Sequence, residues 1–142
     1  MKYNGVIQRK LALLDDQVQR LMNHTRGISF EQFEGDWLLR SACERALQVA
    51  AEVLIDIAER IIALENAGPV IGAAEAMDRL VDIGVIPSSE PYRSIVRFRN
   101  LIVHEYEAID PRILYDIVTT RLDDFRRFRG EVDRADGEVA GA

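Results

Sequence analysis

Positions 36 to 66, DWLLRSACERALQVAAEVLIDIAERIIALEN, carry apolar residues at so many angles around a helix that no single face can hold them. A helix of that kind has to be surrounded, so this stretch predicts the central element of a helical bundle. Gly68 and Pro69 follow it and supply the expected stop. The flanking segments provide the surround. Ile7, Leu11, Leu14, Val18 and Leu21 recur at helical spacing between about Gly5 and Arg26, with charged and amide residues between them, which predicts one long amphipathic helix. HTRGIS interrupts it, and Ser29 with Gln32 three residues later has the form of a capping box for the short turn SFEQFEG. AAEAMDRLVDI predicts a shorter helix ending at Gly84, after which Pro87, Ser88 and Ser89 lead into a further helix containing RFRNLIVHEY, positions 97 to 106. Asp110 followed by Pro111 is an N-cap and first-turn pair, predicting one last helix through about Val132.

The expected fold is therefore all-α, an antiparallel, up-down four-helix bundle with short additional helices. It forms a single domain over residues 1–134, and the ending RADGEVAGA makes 135–142 a disordered tail. A chain of 142 residues can bury one real core. No run of about 18 apolar residues occurs, as a membrane span requires, and the N-terminal segment lacks the apolar core of a signal peptide, so a soluble, cytoplasmic protein with no membrane association is expected. Cys43, the one cysteine, has apolar neighbours and reads as a small core residue. The net charge of −6 works against diffuse attraction to nucleic acid, so any such contact must be local. Arg93, Arg97 and Arg99 form one local basic group; Arg121, Arg126, Arg127 and Arg129 form a second, beside Asp123 and Asp124, that reads as a balanced solvated face.

Within RFRNLIVHEY four groups ill suited to a core stand close together: Arg99, Asn100, His104 and Tyr106. At about 100° per residue, Ile95, Phe98, Leu101 and Ile102 share one stripe, predicted to face the core. The four polar residues fall on the other side together with Val96 and Val103, which predicts a mixed face covered by a second subunit. One His with a Tyr supplies too few ligands for zinc or iron, and neither HExxH nor a cysteine pair is present. A nucleophile elbow and a phosphate-cradling glycine loop are also missing. Arg with His does suit RNA cleavage: imidazole can take the proton of the 2′-hydroxyl near neutral pH, and guanidinium can stabilise charge on the phosphorane. That reaction wants a base and an acid. His24 lies far off, so two motifs joined across a dimer would supply the pair. On the residues alone, a surface ion pair for Arg99 and a hydrogen-bonded His104–Tyr106 pair at a helix end remain the favoured account. Glu44 and Asp56 read as solvated charges that could alternatively face the motif, Tyr92 and Tyr115 as packing residues with a polar tip, and Trp37 as an anchor between helices.

The order Arg99-Asn100-x-x-x-His104-x-Tyr106 resembles the signature of the HEPN superfamily of helical ribonucleases, and in particular the HepT-like toxins of HEPN/MNT toxin–antitoxin pairs. The likeness covers nearly the whole chain, through ERALQVAAEVLIDIA at 44 to 58, LVDIGVIP before the motif helix, and FRNLIVHEYEAIDPRILYDIV. It implies an HEPN-like bundle and an endoribonuclease needing no metal or cofactor, acting on RNA as a homodimer. By position Arg99 and His104 are the catalytic pair and Asn100 a supporting polar group. It also implies a minimal nucleotidyltransferase as antitoxin, which adds AMP to Tyr106. A bulky anionic group there would compete for the guanidinium. The alternative is a non-catalytic helical module that binds such a nucleotidyltransferase, which would not need Arg99 and His104 to be chemically competent.

Overall fold

The computed structural model describes residues 3–104 and 109–141. Among them are seven helices and no strand: α1 Gly5–Thr25, α2 Phe30–Gly35, α3 Trp37–Leu64, α4 Ala73–Asp82, α5 Tyr92–His104, α6 Pro111–Thr120 and α7 Asp123–Gly141. No described helix is long and apolar enough to cross a membrane.

The long central helix is α3, which packs against each of the other six. Asp36 caps it by accepting from the Leu39 N–H at 3.0 Å. From Leu47 onward its buried residues, among them Ala50, Ala51, Leu54, Ile57, Ala58 and Ile61, point in several directions, as a surrounded helix requires. Helix α1 lays Ile7, Leu11, Leu14, Val18 and Leu21 against it, and α4 and α5 cover another side. The capping box at Ser29 and Gln32 is present in both directions.

The end of α3 differs from expectation. The helix ends at Leu64 rather than at about Asn66, because Asn66 takes the left-handed conformation with φ 54° and closes it before Gly68 and Pro69 are reached. The Ala67 N–H then returns to the Ile62 carbonyl at 2.9 Å and the Asn66 N–H to Ala63 at 3.1 Å, the paired bonds that close a helix. Gly84, with φ 81°, ends α4 by the same pair: Val85 N–H to the Leu80 carbonyl at 2.9 Å and Gly84 N–H to Val81 at 3.0 Å.

The last helix is two helices. Asp110 and Pro111 start α6 as expected, but Thr119 and Thr120 give their hydroxyls to the carbonyls of Tyr115 and Asp116, competing with the helical ladder. The chain turns at Arg121 and Leu122, and Asp123 and Asp124 restart it where acidic residues suit a helix N-terminus. Beyond Val132, α7 continues to Gly141 where a disordered tail over 135–142 was expected. Ala135 and Asp136 are buried, and the Asp136 carboxylate accepts the Tyr3 N–H at 2.8 Å and Gln8 Nε2 at 2.9 Å. That contact joins the two ends of the chain and holds the helix in place. Removing residues 135–142 is thus expected to cost about 2 kcal/mol or more, the usual loss for hydrogen bonds to a buried charged group, read as a lower urea midpoint; a true tail would leave the midpoint unchanged.

Candidate functional site

The motif helix α5 is fixed at its N-terminal half. Tyr92 is fully buried, meets the Phe128 ring edge-on at 5.1 Å between centroids, and donates its hydroxyl to Glu131 of α7. Burial, and then the bond to Glu131, push its phenol far above the usual tyrosine value. Glu131 is itself buried and also accepts from Arg127 Nε at 3.0 Å. On the opposite flank Asp78 of α4 accepts the Ser89 hydroxyl at 2.7 Å and pairs with Arg93, and these two partners hold its carboxyl below the usual aspartate value. Arg97 is taken up by Glu90 at 3.1 Å and by the Ser94 hydroxyl at 2.7 Å.

With these anchors the predicted apolar stripe of α5 faces the core, and the buried face extends beyond it to Val96. The buried residues are Tyr92, Ile95 and Val96, so Val96 belongs to the core of the protomer and does not await a second subunit. At about 100° per residue, Arg99 lies on the same inward line as Tyr92, two turns further along, with Val103 one turn beyond. Of the predicted stripe, Ile95 is buried and Phe98, Leu101 and Ile102 are half-buried against the core. The inward line thus passes from Tyr92 and Val96 to a half-buried Arg99 and then to Val103, which is 48% exposed, as α5 runs beyond its neighbours. Arg99 is half-buried as a residue, and the hydrogen bond its side chain makes is exposed to solvent.

There it finds a neutral partner. Arg99 Nε donates to the Asn100 side-chain oxygen at 3.0 Å, and no carboxylate among the described residues pairs with it, whereas its basic neighbours Arg93 and Arg97 are both paired. Asn100 is exposed, and His104 is the exposed last residue of α5. The structure brings Arg99 and Asn100 together; by helix geometry His104 stands about 7.5 Å further along the axis and roughly 140° around it, on a different face of α5. Tyr106 lies outside the described residues.

The remaining candidates sort by their partners. Asp56 bridges Lys10 at 2.6 Å and Arg60 at 3.1 Å. Burial pulls its carboxyl upward, but the hydrogen bonds from Lys10 and Arg60 outweigh it and leave it below the usual aspartate value. It holds α1 to α3. Glu44 is half-buried on α3. Cys43 is buried and its thiol is pushed up to about 11 by that burial and by Asp36, which makes it unreactive. Tyr115 packs against Phe30 and Phe33 at 5.4 and 5.5 Å and donates to the Ile28 carbonyl at 2.8 Å. In the second basic group Arg126 meets Gln19, Arg127 meets Glu131, and Arg129 meets Asp15 and Asp133, a balanced face as expected. Trp37 is no anchor: as the first residue of α3 it is 67% exposed, beside Leu38 at 65%. Among the described residues no three His, Cys, Asp or Glu side chains come together as a metal site would need.

Comparison with known proteins bears on this arrangement. Residues 14–132 match the family described as Ribonuclease HepT-like. The chain is 28% identical over 127 residues to the mRNA nuclease HepT of Shewanella oneidensis, covering 88% of this chain and 94% of that one. It superposes with a TM-score of 0.82 and 26% identity on a solved structure of a tri-AMPylated Shewanella oneidensis HEPN toxin in complex with MNT antitoxin, over 93% of this chain and 99% of that one. A toxin–antitoxin crystal structure with AMP-PNP gives the same TM-score and identity over 92% and 99%.

Proposed function

The chain belongs to the ribonuclease HepT-like family, and from that premise we propose that it is the toxin of a toxin–antitoxin pair, an endoribonuclease that cleaves RNA without a metal ion. The observation that supports this reading is Arg99: a half-buried residue of α5 whose exposed guanidinium is free of any carboxylate among the described residues and is held by the neutral Asn100. A cation kept unpaired in that position is suited to a phosphate.

The substrate brings its own nucleophile. His104 removes the proton of a 2′-hydroxyl, whose oxygen attacks the adjacent phosphorus; Arg99 stabilises the charge on the phosphorane; and a protonated imidazole gives its proton to the departing 5′-oxygen. The products are a 2′,3′-cyclic phosphate and a 5′-hydroxyl. Base and acid cannot both come from one His104 in a single turnover, and His24 ends α1, where its Nδ1 lies 2.8 Å from the Arg20 carbonyl. The site is therefore composite: a homodimer sets two motif helices against each other and supplies His104 twice. Val103, 48% exposed near the end of α5, supplies apolar surface for that pairing. The partner is a minimal nucleotidyltransferase antitoxin that transfers AMP from ATP to Tyr106, with pyrophosphate leaving.

The test is to incubate the purified protein with total cellular RNA in excess EDTA and sequence the new ends. Fragments with cyclic phosphate and 5′-hydroxyl ends are expected. RNA that stays intact in EDTA and is cut only when a divalent cation is restored would overturn the metal-independent reading.

A further inference from the structure

The first turn of α3 leaves two large apolar side chains in water: Trp37, the one tryptophan of the chain, is 67% exposed and Leu38 beside it 65%. Ile55, five turns further along the same line of the helix as Trp37, is buried, so the face that the bundle covers further on runs out uncovered here. An exposed tryptophan with a leucine next to it is the make-up of a protein-binding anchor rather than of a solvated helix end.

This patch lies at the same end of the bundle as the proposed site. Helix α4 is tied to the end of α3 by Arg79, which donates to the Ala67 carbonyl, and to the start of α5 by Asp78 with Arg93. Helix α5 therefore starts toward the C-terminal end of α3 and runs back along it, and Leu47 of α3 and Phe98 of α5 line one cleft. From that level Trp37 lies about 15 Å along and His104 about 9 Å along in the same direction, at about 1.5 Å per residue. Helix α6 closes this end: Tyr115 donates to the Ile28 carbonyl and packs on Phe33, just ahead of α3.

The charges around the patch exclude two occupants. Glu31, Glu34 and Asp36 are exposed just before it, and among the described residues no ion pair engages them. The nearby cations are turned elsewhere: Arg40 donates to the Glu34 carbonyl, and Arg112 lies over the Phe30 ring at 3.7 Å from its centroid. Such a rim repels RNA, and two copies meeting here about a two-fold axis would set acid against acid.

We propose that Trp37 and Leu38 are the docking site of the nucleotidyltransferase antitoxin, which takes them into an apolar pocket with a basic rim. The inference rests on the toxin–antitoxin reading. Transfer of AMP uses up the Tyr106 acceptor, yet the tri-AMPylated Shewanella oneidensis HEPN toxin is in complex with MNT antitoxin. Association that outlasts the reaction needs ground that the reaction leaves unchanged, and in this chain Trp37 and Leu38 supply it.

The test measures association without transfer. The full chain is titrated with the neighbouring nucleotidyltransferase by calorimetry in the absence of ATP. Circular dichroism, light-scattering mass and binding of a 2′-O-methyl RNA, which cannot be cut by this route, are measured alongside. Trp37→Ala is expected to weaken the complex about thirtyfold or more, as loss of a buried aromatic anchor does, and Leu38→Ala about fivefold. Glu34→Lys should slow association and flatten its dependence on salt. Ile71→Ala removes an apolar residue that is 98% exposed where α3 gives way to α4, at the other end of the bundle, and should leave the affinity unchanged. All four variants should keep the parent's ellipticity, mass and RNA binding. Parental affinity in Trp37→Ala overturns the proposal and leaves the toxin–antitoxin reading standing. So does a Trp37→Ala chain whose dimer dissociates, which gives the patch to a second copy, or one that loses RNA, which gives it to the substrate. A parent that binds no nucleotidyltransferase fails the toxin–antitoxin reading itself, and the proposal with it.

Discussion

His104→Ala and Arg99→Ala are each expected to lower RNA cleavage by about a hundredfold to ten-thousandfold while leaving the helical circular dichroism unchanged. The size follows from the roles. A positioned general acid or base contributes about 10²–10⁴ in rate, and one preorganised donor to developing charge about 10²–10³. In a composite site each substitution strikes both protomers, so the double variant should be little worse than the weaker single one, because groups acting as a unit are not additive. The fold should be indifferent. His104 is exposed at the end of α5, and the N-terminal half of that helix is held by Tyr92, Arg93 and Arg97 independently of Arg99. Quantitative cleavage of a defined RNA at parental rate by either variant would remove that residue from the chemistry. A parallel loss of ellipticity would instead make it structural.

What could be read in the sequence, and what could not, divides by the range of the interaction that decides it. Ser29 with Gln32, Asp36, Gly84 and the Asp110–Pro111 pair act within one turn, so the short-range chemistry that identifies them also fixes them in the fold. The face of α1 was equally legible, because Ile7 through Leu21 leave only one apolar side to bury. The stripe of α5 was legible in part: Ile95, Phe98, Leu101 and Ile102 do pack on the core, but the burial of Val96 goes with the anchoring of Tyr92, whose partner Glu131 is 39 positions away. The last turns of α7 depend on a bond across 133 positions, from Tyr3 to Asp136, and a composition of Ala, Gly and Asp gives no sign of it. Asn66 lies between these cases: the helix end was placed at about Asn66 with Gly68 and Pro69 as the stop, whereas Asn66, as asparagine tolerates, itself takes the left-handed conformation and closes the helix two residues earlier. The proposed site residues Arg99, Asn100 and His104 stood out by their order along one helix, whereas the partners that hold that helix, Asp78 of α4 and Glu131 of α7, needed the bundle assembled and had no local signature.

Tyr106→Phe is expected to leave cleavage largely intact and to abolish control by the antitoxin. Tyr106 is two residues beyond His104, so its Cα lies within about 7 Å of that of His104 whatever the conformation between them. A nucleotide attached to its oxygen would be tethered near the proposed catalytic imidazole, and its phosphate would bring negative charge toward Arg99, which is free of carboxylates among the described residues. Inhibition follows from occupancy and from competition for the guanidinium, without any change in the bundle. Phenylalanine keeps the ring and removes only the oxygen that attacks the α-phosphorus of ATP, so it separates acceptor chemistry from packing. Parent and variant are incubated with the neighbouring nucleotidyltransferase, ATP and magnesium, weighed by intact-protein mass spectrometry, and then assayed on RNA. The parent should gain mass in whole AMP-sized steps and lose nearly all cleavage, and the variant should do neither. Equal gains on both proteins would place the modification elsewhere. If the parent were silenced with no gain in mass, inhibition would reside in the complex itself, with the antitoxin covering the exposed end of α5.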